Sequence, residues 1–174
     1  MGFFSDLKRD FKKGSSATKQ ATGNGAKRVS PSSTARAKPN QFEFKAAYFQ
    51  REAGTPNVNV VGESYYQSNI SKICGRKADE EVAHQCVGTL IPEDDNPKDK
   101  NAVAVYLDGN QVGYLSKDEA LRYRPALAAA AAKGYLVAGD ARIYAYPPER
   151  ARTPNAGVSL YLPPPEEVIE GLPS

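Results

Sequence analysis

Between Glu93 and Val105 the chain carries Asp94, Asp95, Asn96, Lys98, Asp99, Lys100 and Asn101, then the alternation Ala102-Val103-Ala104-Val105. A polar loop that opens onto a strand can hold an acceptor (Asp99), an amide (Asn96) and an ammonium (Lys98) close together on a rigid support, as a small-ligand site requires. Two more groups stand near it in the sequence: the adjacent aromatics Tyr65 and Tyr66, and Tyr114 followed by Lys117. Flat aromatic faces beside lysines are the hardware for holding an unpaired base and its phosphates.

Other chemistries fit less well. Glu93, Asp94, Asp95 and Asp99 raise the reading of a metal-dependent hydrolase acting on DNA or acid anhydrides, since paired carboxylates hold Mg²⁺ in such enzymes. The calcium-loop pattern fails, however, because Lys98 and Asp99 stand where a ligand and a glycine are needed. Cys74, His84 and Cys86 are three zinc-type ligands with no Cys-x-x-Cys pair and no fourth partner at a usual spacing. There is no phosphate-binding Gly-Lys-Ser/Thr loop and no Gly-x-Ser-x-Gly elbow, and His84 is the only histidine. The expectation is a binding protein with no catalytic residues, metal or cofactor, with the cysteines and His84 as structural residues.

The elements that must position these groups can be placed from local signals. Val58, Val60 and Val61 mark a strand over 57–62. A helix should follow, with Ser64 and Gln67 as a capping box, Ile70 and Ile73 as its apolar stripe and Gly75 as its stop. A second strand is expected over 84–91, then a hairpin of 101–107 and 111–115 turning on Asp108-Gly109-Asn110, with Gly109 at positive φ. Ser116 with Glu119 opens a second, alanine-rich helix that Lys133-Gly134 closes. Strands over 135–146 and 157–162 complete the pattern, separated by a Pro/Arg loop. Many short strands with two helices predict a small, partly open β-barrel of the α+β class.

Charge is divided unevenly. Residues 1–40 hold nine Lys/Arg against two Asp/Glu, and residues 41–174 hold fourteen against eighteen. The folded part is therefore mildly acidic, and a nucleic acid must be held by a local patch rather than by broad coating. Residues 1–14 read as a short basic amphipathic segment, in which Phe3, Phe4, Leu7 and Phe11 would make weak membrane or partner contacts; the plainer alternative is a frayed starting segment, since helices this short are marginal in water. Residues 15–45 lack large apolar side chains apart from the phenylalanines at their end and read as a disordered basic linker. The domain is expected over 50–162, with 163–174 as a Pro-rich tail outside the fold. Two cysteines are too few for a disulfide scaffold, and neither a signal peptide nor a membrane-spanning run is evident, so a cytoplasmic protein with free thiols is expected.

Three blocks carry a family resemblance: Val60-Val61-Gly62-Glu63-Ser64-Tyr65-Tyr66, Asn96-Pro97-Lys98-Asp99-Lys100-Asn101-Ala102-Val103, and Gln111-Val112-Gly113-Tyr114-Leu115-Ser116-Lys117. In this order and spacing, over about residues 57–146, the chain resembles the HIRAN domain family. The resemblance implies an OB-like barrel that binds single-stranded DNA at a free 3′ end and acts in DNA repair or replication-fork processing, with repair or helicase proteins as partners. It further implies that Tyr65 flanks or stacks on the terminal nucleotide, that Tyr66 is more structural and that Lys117 lies near the phosphates. Tyr114, in the same block, would line the groove.

Lys98 stands where the family often has an aromatic, so a phosphate contact replaces stacking there. Ser64 departs from a basic residue in related domains, and Arg122 and Arg124 are the candidates to compensate. In such a site a carboxylate is repelled by the polyanion unless it accepts a hydrogen bond, and a terminal sugar hydroxyl is such a donor. Asp99 would then sense a 3′-OH and repel a 3′-phosphate. The plainer alternatives are that Asp99 and Asn96 only tie down a turn. At the level of function, the rival is a protein-interaction or membrane-tethered adaptor built on the same barrel.

Overall fold

The computed structural model describes residues 45–55, 57–75, 81–145 and 155–174. Its elements are β1 (Lys45–Phe49), β2 (Asn57–Val61), a 3₁₀ turn (Glu63–Tyr65), α1 (Gln67–Cys74), β3 (Val82–Pro92), β4 (Val103–Leu107), β5 (Asn110–Leu115), α2 (Lys117–Ala132), β6 (Tyr135–Ala145), β7 (Gly157–Tyr161) and α3 (Pro165–Glu170).

The strands run in the order β1-β6-β3-β4-β5-β2-β7, and a further β6–β7 pairing joins the ends. Six strands thus close into an OB-like barrel, with β1 lying parallel outside it. Closure depends on two strands that change partner along their length. β6 pairs with β1 over Tyr135–Gly139 and with β7 over Ala141–Tyr144. β2 pairs with β7 through Asn57–Asn59 and with β5 through Val60 and Val61. The expected barrel was partly open; the closed one follows from these shared strands, which leave no unpaired edge among its six members.

Alternation decides which side chains fill the interior. In β2, Val58 and Val60 point in while Asn57, Asn59 and Val61 point out. β4 is buried at all five positions, because its outward residues Ala104 and Tyr106 are covered in a second cluster with Ile91, Leu136 and Tyr114. Ala120, Tyr123, Ala126, Leu127 and Ala130 of α2 join the interior cluster, the three alanines letting the helix sit close to the strands. The hairpin turns as expected at Gly109 (φ 73°), and Asp108 is also at positive φ (45°), the mirror-image turn that matches strand twist. Ser116 caps α2, its Oγ accepting from Glu119 N at 3.3 Å.

Several expectations are corrected. Ser64 does not cap α1, because residues 63–65 take a 3₁₀ turn and the helix begins only at Gln67. Gln67 instead clamps the approach to β7: its Nε2 donates to Ala156 O (2.9 Å) and its Oε1 accepts from Ala156 N (2.8 Å). Residues 163–174 are not outside the fold: Pro165, Val168 and Leu172 are buried, and Tyr123 OH donates to Pro163 O at 2.8 Å. A third helix therefore joins the two expected. Lys45–Phe49, at the end of the expected linker and before the expected domain, is strand β1, with Ala47 in the core. The expectations for residues 1–14, for the linker up to residue 44 and for most of the Pro/Arg loop lie outside the described residues. No helix among the described residues is long and apolar enough to cross a membrane.

One close approach is worth testing. A Cβ at Gly113 would lie 2.7 Å from the Val61 carbonyl oxygen, where β5 and β2 meet at the barrel seam. Gly113→Ala is expected to destabilise the protein by about 1–3 kcal/mol, because backbone cannot yield as a flexible side chain does. Chemical denaturation checks this; an unchanged midpoint would show that the seam can part.

Candidate nucleic-acid interface

Where β2 meets β5, three connections line a groove of about 820 Å³: the turn after β2, the β3–β4 loop, and the junction of β5 with α2. Tyr65, Tyr66, Asn96, Lys98, Asp99, Tyr114 and Lys117 all line it. Residues that are far apart in sequence meet because Val61, the last residue of β2, pairs with Tyr114 near the end of β5, and β4, which follows the β3–β4 loop, pairs with the same residue through Ala104.

Gly62, at φ 81°, turns the chain out of β2 into the 3₁₀ turn. Tyr65 N bonds Gly62 O at 3.1 Å and Tyr66 N bonds Glu63 O at 2.9 Å, so the two rings are held by backbone and diverge. Tyr65 is 86% exposed, an aromatic face presented to solvent. Tyr66 is half-buried and meets Tyr114 edge to face, with centroids 6.3 Å apart and planes at 62°. Burial, and then the hydrogen bond with Tyr114, hold the Tyr66 hydroxyl well above the usual phenol range, so it is a neutral donor.

The β3–β4 loop is internally braced. Glu93 N donates to Ala102 O (2.9 Å) and Asn96 N to Glu93 O (3.1 Å). Asn96 Oδ1 accepts from Lys98 N (2.9 Å) and Asp99 N (3.3 Å), and its Nδ2 donates to Glu93 Oε2 (2.8 Å). Both ends of the Asn96 amide thus serve the loop, which favours the turn-forming role over a base contact. Asp99 Oδ1 accepts from Asn101 N at 2.8 Å. That leaves Oδ2 for a further donor, so the turn role and the ligand role of Asp99 are compatible.

Lys98 and Lys117 are both exposed and line the groove from different connections, Lys98 in the β3–β4 loop and Lys117 in the first turn of α2 after Ser116. The two arginines suggested to compensate for Ser64 are not among the residues that line the groove: Arg124 pairs with Asp94, and Arg122 lies 3.9 Å from Glu119. The groove also holds Glu93, Asp95 and Asp99, so its cations are local rather than part of a basic field.

Glu93, considered from the sequence only as a metal ligand, is a groove residue whose hydrogen bonds to Asn96 and Tyr114 the sequence reading missed. It is 4% exposed, and its Oε2 also accepts from Tyr114 OH at 3.3 Å. Its spacing of three residues before Asn96, just past the run Leu90-Ile91-Pro92, was the available signal. Among the described residues no three His, Cys, Asp or Glu side chains group as metal ligands. Cys74 and Cys86 are free; burial, with smaller effects of Asp108 and Cys74, pushes the Cys86 thiol up to about 11, far from a reactive thiolate at neutral pH.

The model of the HIRAN domain family matches residues 53–156, from the connection before β2 to the approach to β7. No curated protein and no solved structure matches the chain.

Proposed function

Since the chain belongs to the HIRAN domain family, a family of nucleic-acid-binding domains, we propose that it binds single-stranded DNA at a free 3′-OH end through the groove where β2 meets β5. The observation that carries this reading is the meeting of an 86%-exposed tyrosine, two lysines and a carboxylate with one oxygen to spare in one open groove. Tyr65 stacks on the last base, an arrangement open to any base because each has a π-face. Lys98 and Lys117 hold the flanking phosphates as point charges. Asp99 accepts from the terminal hydroxyl through Oδ2. The role so read is recognition, in DNA repair or replication-fork processing beside repair or helicase proteins in the cytoplasm.

End recognition separates this reading from simple strand coating. A linear single strand with a free 3′-OH is expected to compete for the protein at least about tenfold better than a circular strand of the same composition, the value of one good charge-assisted hydrogen bond. Equal competition would leave a groove that binds single strands without reading their ends.

A further inference from the structure

The Glu93 carboxylate sits in the groove floor, 4% exposed. A charge so placed is costly unless hydrogen-bonded, and Oε2 is shared between two donors from different walls: Asn96 Nδ2 at 2.8 Å and Tyr114 OH at 3.3 Å. Asn96 fixes the backbone of Lys98 and Asp99 through its Oδ1. Tyr114 sets its ring against Tyr66, which follows directly on Tyr65. One oxygen therefore ties the wall that carries the carboxylate Asp99 to the wall that carries the aromatics.

Resting on the proposed end-binding reading, we infer that Glu93 is the positioning residue of end recognition, setting the distance between the Asp99 side and the tyrosine side of the groove. Hydroxyl recognition needs Asp99 Oδ2 within hydrogen-bond reach of the sugar while the base lies on Tyr65, and such geometry is lost by shifts of about half an ångström. Asn96 alone can brace the loop, and ring packing alone can place Tyr114. The shared carboxylate joins the two through their side chains, above the backbone pairing of Ala104 with Tyr114.

The test uses the full chain, with fluorescence anisotropy on a short single strand ending in 3′-OH and the same strand ending in 3′-phosphate. The ratio of the two dissociation constants is the readout, because loss of folded protein affects both ligands equally. Glu93→Gln keeps the volume of the side chain but turns one acceptor oxygen into a donor. It is expected to lower the preference for the hydroxyl end about tenfold, as expected for a lost charge-assisted hydrogen bond.

Tyr114→Phe, which keeps the ring and removes one donor, should lower the preference about threefold, and the double variant should fall no further than Glu93→Gln alone, since both act through one bond. A wild-type ratio in Glu93→Gln, or effects that multiply in the double variant, would overturn the inference. Should Glu93→Gln not fold, Tyr114→Phe decides it, an unchanged ratio counting against. A native protein with no end preference would instead overturn the functional reading on which the inference rests.

Discussion

Tyr65→Ala is expected to weaken binding of single-stranded DNA by about 5- to 150-fold, equivalent to ~1–3 kcal/mol for one base–aromatic stack. It should do so with no loss of thermal stability. The two halves of the prediction come from one fact: the ring is 86% exposed, so the fold gains almost nothing from it. Its backbone is set by Gly62 and the 3₁₀ turn, which a change of side chain leaves alone. Binding titrations and thermal melts on the same variant check both. A fall in melting temperature with binding would make Tyr65 a packing residue, and unchanged binding would remove it from the site.

Removing the last twelve residues is expected to cost about 3–5 kcal/mol of stability, a fall in melting temperature of roughly 10 °C or more. A chain ending at Leu162 loses buried Pro165, Val168 and Leu172. It also leaves the hydroxyl of Tyr123, a side chain in the core face of α2, without the Pro163 carbonyl. Calorimetry on the shortened chain decides this, and a melting temperature equal to that of the full chain would place α3 outside the cooperative unit. The matched family span ends at residue 156, before β7 and α3. The barrel nonetheless needs β7 for closure, since β7 bridges β2 and β6.

Much of this architecture was legible because strong local signals agreed with the tertiary fold. Ser116 with Glu119 caps α2, Gly75 (φ 68°) and Gly134 (φ 80°) end their helices, and Asp108-Gly109 makes the hairpin turn. The seven candidate site residues meet in one groove because the end of β2 and the start of β4 both pair with Tyr114 in β5.

What failed did so where tertiary contacts outweighed local preference. Ser64 has the sequence of a cap, yet Glu63 and Tyr65 prefer a 3₁₀ turn that carries Tyr65 outward and leaves Gln67 to bond across to Ala156. The segment Lys-Ala-Ala-Tyr-Phe is too short and too weakly alternating to declare itself a strand; pairing with β6 makes it one. In the last helix, proline at its first position, two glutamates in its first turn and a closing Gly171 were start and stop signals, outweighed in the reading by three consecutive prolines. Asn96 shows the limit of reading residue types alone, because an amide that suits a base edge suits a turn equally well, and here the turn takes it.

The central claim concerns Asp99, and one comparison tests it most directly: anisotropy of the native chain and of Asp99→Asn on single strands ending in 3′-OH and in 3′-phosphate. Asparagine can keep the Oδ1 acceptor that the Asn101 amide needs, so the turn survives while the charge is lost. The native protein is expected to favour the hydroxyl end by about tenfold or more. In Asp99→Asn the two ends should approach equality, chiefly through tighter binding of the phosphate end once the like-charge repulsion is gone. Equal affinity of the native protein for both ends, or an undiminished preference in Asp99→Asn, would contradict end recognition by this carboxylate.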